Sequence, residues 1–246
     1  MRILELFSGT GSVGKVCKKL GYDEIISVDL ILPATHSKTD IMTFDYKQYD
    51  KNYFDIVWAS PPCTAYSHLQ NSWIGRTRKN GDVITKEKIE EMRKESDKLV
   101  EKTLEIIKYF NPEKWFMENP ATGNLKNRDV VKDLLFYDVD YCMYSDWGYR
   151  KRTRVWTNVD NFKPKRCDGS GACGNMVMLE NKKHLHQANL GNGGQTRAVK
   201  NHYKKQNRHK TQVVPSKTTK GATSQLERYR IPERLIFDLF NEEYIK

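Results

Sequence analysis

The sequence contains no apolar run approaching the ~20 residues that a membrane-spanning helix needs. Its opening, MRILELFSGTG, has neither the charged-then-apolar pattern nor the cleavage site of a secretory leader. A soluble, intracellular protein is expected. Cysteine is also sparse: five residues, at 17, 63, 142, 167 and 173, scattered and odd in number. That usage fits a reducing compartment better than a disulfide-stapled secreted fold, so thiol chemistry here should be catalytic or metal-binding. No His-x-Glu occurs, and Cys63 is followed by Thr64, Ala65 and Tyr66, which excludes a zinc deaminase built on His-x-Glu and Pro-Cys-x-x-Cys.

Acidic charge is short in one part of the chain only. Residues 1–150 hold 22 Lys and Arg against 23 Asp and Glu, whereas residues 151–246 hold 20 against 8, so the last 96 residues, at +12, carry the whole of the chain's net +11. Aromatic and polar side chains interleave with this charge, as in NHYKKQNRHKTQ (201–212). The pattern favours a polyanionic partner over a merely solvated basic tail. At 246 residues the chain suits one main domain with a small appended region.

Strands and helices alternate along the first two thirds. Arg2 to Phe7 reads as a strand ending in the glycine loop SGTGSVG (8–14), with helix-compatible KVCKKL (15–20) after it. Strands are expected at 24–29 and 54–59, and Thr85 caps a helix through Phe110 whose Ile89, Met92, Leu99, Thr103 and Ile106 share one face. A strand at 114–117, a helix at 128–136, strands at 139–144 and 153–157, and a helix at 231–243 with Pro232 in its first turn complete the reading. Residues 158–224 show little periodicity. The expected class is α/β: a Rossmann-like, mostly parallel sheet with an antiparallel strand, plus a small irregular basic region.

In such sheets ligands bind outside the carboxyl ends of the strands. Gly9-x-Gly11-x-x-Gly14 with Asp29 about twenty residues on fits a loop that lets a nucleotide-like ligand approach backbone, although a tight strand-to-helix turn uses glycine as well. In DIVWASPPCTAYSHLQ (55–70), Pro61 and Pro62 stop the strand and present Cys63 at the rim. By itself Cys63 reads equally as a small buried thiol or a nucleophile, and Ser-Pro-Pro also fits the start of an amino-group methyltransferase motif. A polar loop of about twenty residues follows, long enough to be functional, and carries Trp73, Arg76 and Arg78. It is expected to be mobile without nucleic acid. Cys167-x5-Cys173 with His184 and His186 offers a zinc set without a tight knuckle, or two thiols in a basic loop; Cys17 and Cys142 read as core.

Together these motifs resemble the DNA (cytosine-5) methyltransferases, particularly small stand-alone enzymes of phages and large viruses, over most of residues 3–157. The resemblance implies an S-adenosylmethionine-dependent methyltransferase acting on carbon 5 of a flipped cytosine in double-stranded DNA, with RNA chemically permitted. It implies that Phe7, Ser8, Gly9, Thr10 and Gly11 of LFSGTGSVG, Asp29, Asp40 and Ile41 of TDI, and Pro61 contact the cofactor. Cys63 of SPPC becomes the nucleophile, Glu118 of MENP binds the cytosine ring, and Arg152 and Arg154 of RKRTR hold the base carbonyl and a phosphate or loop. Pro120 and Arg150 depart from the family's usual Val and Gln, and the C-terminal Gly-Asn-Ala-Val segment has no counterpart. The implied organisation is a catalytic domain (1–157), a target-recognition region (158–224) and a C-terminal helix (225–246) packed back on the first domain, acting as a monomer without a membrane. A non-catalytic nucleic-acid-binding protein of the same fold, a methyltransferase acting on an amino nitrogen, and a dehydrogenase using the glycine loop are the competing readings.

Overall fold

The computed structural model describes residues 1–31, 37–190, 195–208 and 226–240. They form two compact units, one of residues 1–138 and 153–162, the other of residues 139–152 and 163–246. No helix among the described residues is long and apolar enough to cross a membrane.

The first unit is built on β1 (Arg2–Leu6), β2 (Glu24–Asp29), β3 (Ser37–Lys38), β4 (Ile56–Ala59) and β5 (Lys114–Pro120), with helices α1 (Ser12–Lys19) and α2 (Lys86–Phe110) between them. β6 (Phe136–Asp140) and β7 (Arg152–Thr157) complete a seven-stranded sheet of order β3-β2-β1-β4-β5-β7-β6. The β1–β2, β1–β4, β2–β3 and β4–β5 pairs are parallel, and β7 runs antiparallel to β5. This is the doubly-wound plan, whose order reverses beside β1, with one strand inverted.

The central strands read as continuous apolar runs because both their faces are covered. All four residues of β4 are buried, as are Ile3, Leu4, Glu5 and Leu6 of β1. α2 begins where Thr85 Oγ1 accepts the Lys88 amide at 3.2 Å. It buries Ile89, Val100, Thr103, Ile106, Ile107 and Phe110, and it ends at Asn111, in the left-handed conformation with Pro112 next in the chain. Phe110 sets its ring edge-on to Phe54 with centroids 4.9 Å apart. Each such fully buried side chain contributes about 2 kcal/mol of apolar burial.

Two expected elements differ. In place of the helix expected at 128–136, there is one 3-10 turn, Asp129–Val131, just after another at Leu125–Asn127, and β6 already begins at Phe136. The strand expected at 139–144 begins earlier, at Phe136, and gives way to a 3-10 turn at Tyr141–Met143. The cause is long-range pairing, such as the Thr157 amide donating to the Leu135 carbonyl at 3.0 Å, which overrides the short helical spacing.

The second unit takes in residues 139–152, ahead of the boundary expected at 157, and it also contains the terminal helix α4 (Glu233–Phe240). Lys165 pairs with Asp238 of α4 at 2.5 Å. The stretch without periodicity contains a hairpin of β8 (Met176–Met178) and β9 (His184–His186), and helix α3 (Arg197–Arg208). The expectations for residues 209–224 and 241–246 lie outside the described residues.

Candidate active site

Parallel register places four strand ends in one row. Leu6 is level with Val28 and Ala59, and Ala59 with Met117. The next residues, Phe7, Asp29, Ser60 and Glu118, therefore emerge side by side on the carboxyl edge of the sheet. Every residue inferred from the motifs in this unit lies in or just beyond that row.

The loop after β1 is shaped for close approach. Gly9 and Gly11 have φ of 53° and 64°, conformations that side-chain-bearing residues seldom adopt. Phe7 also has a positive φ, 55°, which costs on the order of 1 kcal/mol and is typical of functional loops. Asp29 clasps the loop: Oδ2 accepts the Gly9 amide and Oδ1 the Ile31 amide, both at 2.9 Å. The Asp29 carbonyl accepts the Thr39 amide at 3.1 Å, bringing the 39–41 segment to the end of β2. There Asp40 Oδ1 accepts the Met42 amide at 2.9 Å, while Ile41 is buried in the core. Thr10 bonds Ser12 through their hydroxyls at 2.8 Å.

Glu5 is a supporting residue that the motifs did not single out. It is 2% exposed in the middle of β1, where it accepts the Val13 and Gly14 amides, each at 3.2 Å, and the Ser27 hydroxyl at 2.9 Å. A Cβ on Gly14 would stand 3.0 Å from its Oε2, so α1 lies against β1 only because residue 14 is glycine. Burial pushes the Glu5 carboxyl up to about 7 from 4.5, against the lowering effect of its donors. The folded chain thus holds a proton that the unfolded chain releases, and stability falls as pH rises from about 4.5 to about 7. Glu5→Gln should remove about 3 kcal/mol of that decline. Chemical denaturation of both proteins at the two ends of this range measures it, and equal declines would contradict the assignment.

Cys63 follows the two prolines and is partly buried. The turn is fastened on both sides. Asn119 Nδ2 donates to the Pro61 carbonyl at 2.8 Å, and the Asn124 amide donates to the Tyr66 carbonyl at 2.8 Å. Tyr66 is fully buried, and its hydroxyl donates to Asp97 at 3.0 Å. Arg128 clamps Asp97 at 2.6–3.2 Å and Glu90 at 2.5 Å. Burial, with Asp97 alongside, pushes the Tyr66 phenol far up, so it stays a donor. Cys63 and Glu118 thus sit on segments tied to each other and to α2. Beyond them, residues 68–73 form a 3-10 turn and Thr77 bridges Val83, leaving Trp73, Arg76 and Arg78 exposed.

Glu118 is 6% exposed and level with Val155 of β7. Arg154, level with Asn119, pairs bidentately with Asp138 at 2.8 and 3.1 Å and stacks over Phe136 at 3.5 Å. Arg152 falls in the second unit, where Asp140, itself fully buried, binds it bidentately at 2.9 and 3.0 Å. Both motif arginines are thus oriented by carboxylates, a support that the motif alone did not disclose.

The side-chain oxygens of Ser8, Asn119 Oδ1 and Thr153, all at this edge, are buried with no hydrogen-bond partner among the described residues. Buried polar atoms are normally paired, so these oxygens have hydrogen-bonding capacity left for a further group at this edge. With the strained glycine loop and the Asp29 clasp, they fit a nucleoside-bearing cofactor. By contrast, a depression of about 430 Å³ bordered by Tyr46, Lys51, Asn52 and Asn111 lies at the opposite, amino ends of β4 and β5.

A doubly-wound sheet with one inverted strand, a glycine loop closed by an acid, and a cysteine presented by two prolines define a Rossmann-like methyltransferase. No family model matches the chain. It is 37% identical over 245 residues, 98% of its length and 99% of the relative's, to "Probable DNA (cytosine-5)-methyltransferase" of Frog virus 3 (isolate Goorha). The chain belongs to the DNA (cytosine-5)-methyltransferase family. Solved structures similar to it include a mutant of Spodoptera frugiperda DNMT2, at 21% identity and a TM-score of 0.38, covering 68% of this chain and 53% of that one. Another is S. pombe Dnmt2 methyltransferase, at 17% identity and a TM-score of 0.38, covering 67% and 51%. The chain spans about half the length of the solved structures it matches.

Proposed function

We propose that the protein methylates carbon 5 of cytosine in double-stranded DNA through a covalent bond to Cys63, using S-adenosylmethionine. The observation that carries this reading is the common edge on which the glycine loop, Asp29, the Cys63 turn and Glu118 emerge in register.

The cofactor supplies an electrophilic methyl group when bound. Gly9 and Gly11 would admit it against the backbone, Phe7 would lie against its adenine, and Ser8 and Thr10 would line the same loop. Asp29 would accept from its ribose hydroxyls, Asp40 would read the adenine amino group beside Ile41, and Pro61 would border it. Cys63 gives up its thiol proton to solvent and the thiolate sulfur adds to carbon 6 of the ring, which converts carbon 5 into a nucleophile. Glu118 donates a proton to ring nitrogen 3 as negative charge develops there and accepts from the exocyclic amine. Carbon 5 takes the methyl group, whose bond to the sulfonium breaks and leaves a neutral thioether. Ring nitrogen 3 returns its proton to Glu118, the carbon 5 proton departs to solvent, and the electron pair it leaves re-forms the C5–C6 double bond as the carbon–sulfur bond breaks to restore Cys63. Arg152 would hold the base carbonyl and Arg154 a flanking phosphate or the active-site loop.

The target must leave the duplex for this chemistry, at a cost of a few kcal/mol in stacking and pairing. Exposed Arg76, Arg78 and Trp73 beyond Cys63 are suited to contact the backbone and the vacated space, and the basic second part of the chain to neutralise phosphates. Transfer of labelled methyl groups to a panel of duplex DNAs and RNAs, followed by digestion to nucleosides, tests the assignment. The expected product is 5-methylcytosine from DNA. Label found only on an amino nitrogen, or only in RNA, would overturn it.

A further inference from the structure

The second unit gathers three thiols and an imidazole that the methyl-transfer chemistry does not use. Cys142, Cys167, Cys173 and His186 place one ligand atom each within 4.8 Å of one another. His186 Nε2 lies 3.8 Å from Cys167 Sγ and 3.7 Å from Cys173 Sγ. Ligand atoms around a tetrahedral zinc ion, with Zn–S of ~2.3 Å and Zn–N of ~2.0 Å, are separated by about 3.5–3.8 Å. We propose that these four side chains bind one Zn²⁺ in a closed, structural site.

The arrangement differs from the one the spacing suggested. His184 is not in the cluster; its ring packs against Gly171, where an added Cβ would stand 3.0 Å from it. Its place is taken by Cys142, which lies 24 intervening residues before Cys167 and which sequence reading assigned to the core. The four ligands come from separate segments: the 3-10 turn Tyr141–Met143, the residues following Lys165, a glycine-rich loop and β9. A bond to one ion would join all four.

The surrounding hydrogen bonds orient the ligand-bearing backbone, as the supporting partners of metal sites do. Buried Asn175 donates through Nδ2 to the carbonyls of Cys142 at 2.8 Å, Cys173 at 3.0 Å and Ser145 at 2.7 Å. Asp140 Oδ2, from the carboxylate that binds Arg152, accepts the Cys167 amide at 2.9 Å. Four protein ligands leave no open position, which marks the site as structural, and the soft S₃N set favours zinc over harder cations. Cys142 and Cys167 are buried, and no disulfide joins any of the cysteines.

Metal analysis of the full-length protein purified without chelators should give one zinc per chain. Titration with a mercurial thiol reagent should release it, detected with a chromogenic chelator. Replacement by Co²⁺ should yield the intense visible bands of tetrahedral cobalt and the near-ultraviolet absorption of thiolate ligation. His184→Ala should retain the metal, whereas His186→Ala should lower zinc affinity at least tenfold. Protein that contains less than about 0.1 zinc per chain and gives no tetrahedral cobalt spectrum would overturn the proposal without recourse to any variant. Iron in place of zinc, or loss of metal from His184→Ala but not from His186→Ala, would overturn it equally.

Discussion

Cys63→Ser is expected to lower methyl transfer by at least about 10⁴-fold while leaving DNA affinity within a few-fold of wild type. Loss of a covalent nucleophile commonly costs this much or more. A serine hydroxyl is nearly isosteric with the thiol but ionises far less readily, so addition to carbon 6 loses its nucleophile without a change of shape. Cys63 is partly exposed and follows a turn held by Asn119 and Asn124. Folding should therefore change by no more than about 0.5 kcal/mol. Radiolabel transfer and DNA binding, measured on the same preparations, separate the two effects. Equal transfer by both proteins would mean that Cys63 is not the nucleophile, and equal background from both would point to a binding protein without turnover.

Glu118→Gln should reduce kcat by roughly 10²–10³-fold with little change in KM for DNA. A glutamine can still donate to ring nitrogen 3 and accept from the exocyclic amine, so recognition of the base survives. It cannot hand over a proton as charge builds on the ring, and positioned acid catalysis of that kind is worth about 10²–10⁴-fold. Because Glu118 is buried on a strand held from both sides, by β4 and β7, the isosteric amide should keep the site's shape. Steady-state kinetics distinguishes this from a purely structural role. A rise in KM with kcat preserved would assign Glu118 to binding alone, and an effect below about threefold would remove it from the mechanism.

The parts of the fold legible in the sequence were those with local causes. Thr85 capping α2 and the run EIISVD between turn residues both act within a few positions. The misread stretch at 128–144 depends instead on the partner strand β7, which arrives later in the chain. The site divides similarly. Its contiguous motifs, SGTG, SPPC and MENP, were visible because each carries a backbone constraint beside its functional group. Glu5 was not, since a glutamate in an apolar strand becomes informative only when α1 and Ser27 close over it. Nor was the Tyr66–Asp97–Arg128 network, whose members are 31 residues apart at each step. Cys142 was masked for the same reason: its distant partners carry the signal, and its neighbours make it look like core.

Trapping on duplex DNA containing 5-fluorocytosine reads out the covalent bond between Cys63 and the ring. With S-adenosylmethionine present, fluorine at carbon 5 cannot leave as a proton does, so release of the cysteine is blocked. A 1:1 complex that survives denaturant is expected, with peptide mass spectrometry placing the nucleotide on Cys63. Efficient methylation of ordinary DNA with no trapped complex, or attachment at any other residue, would contradict it.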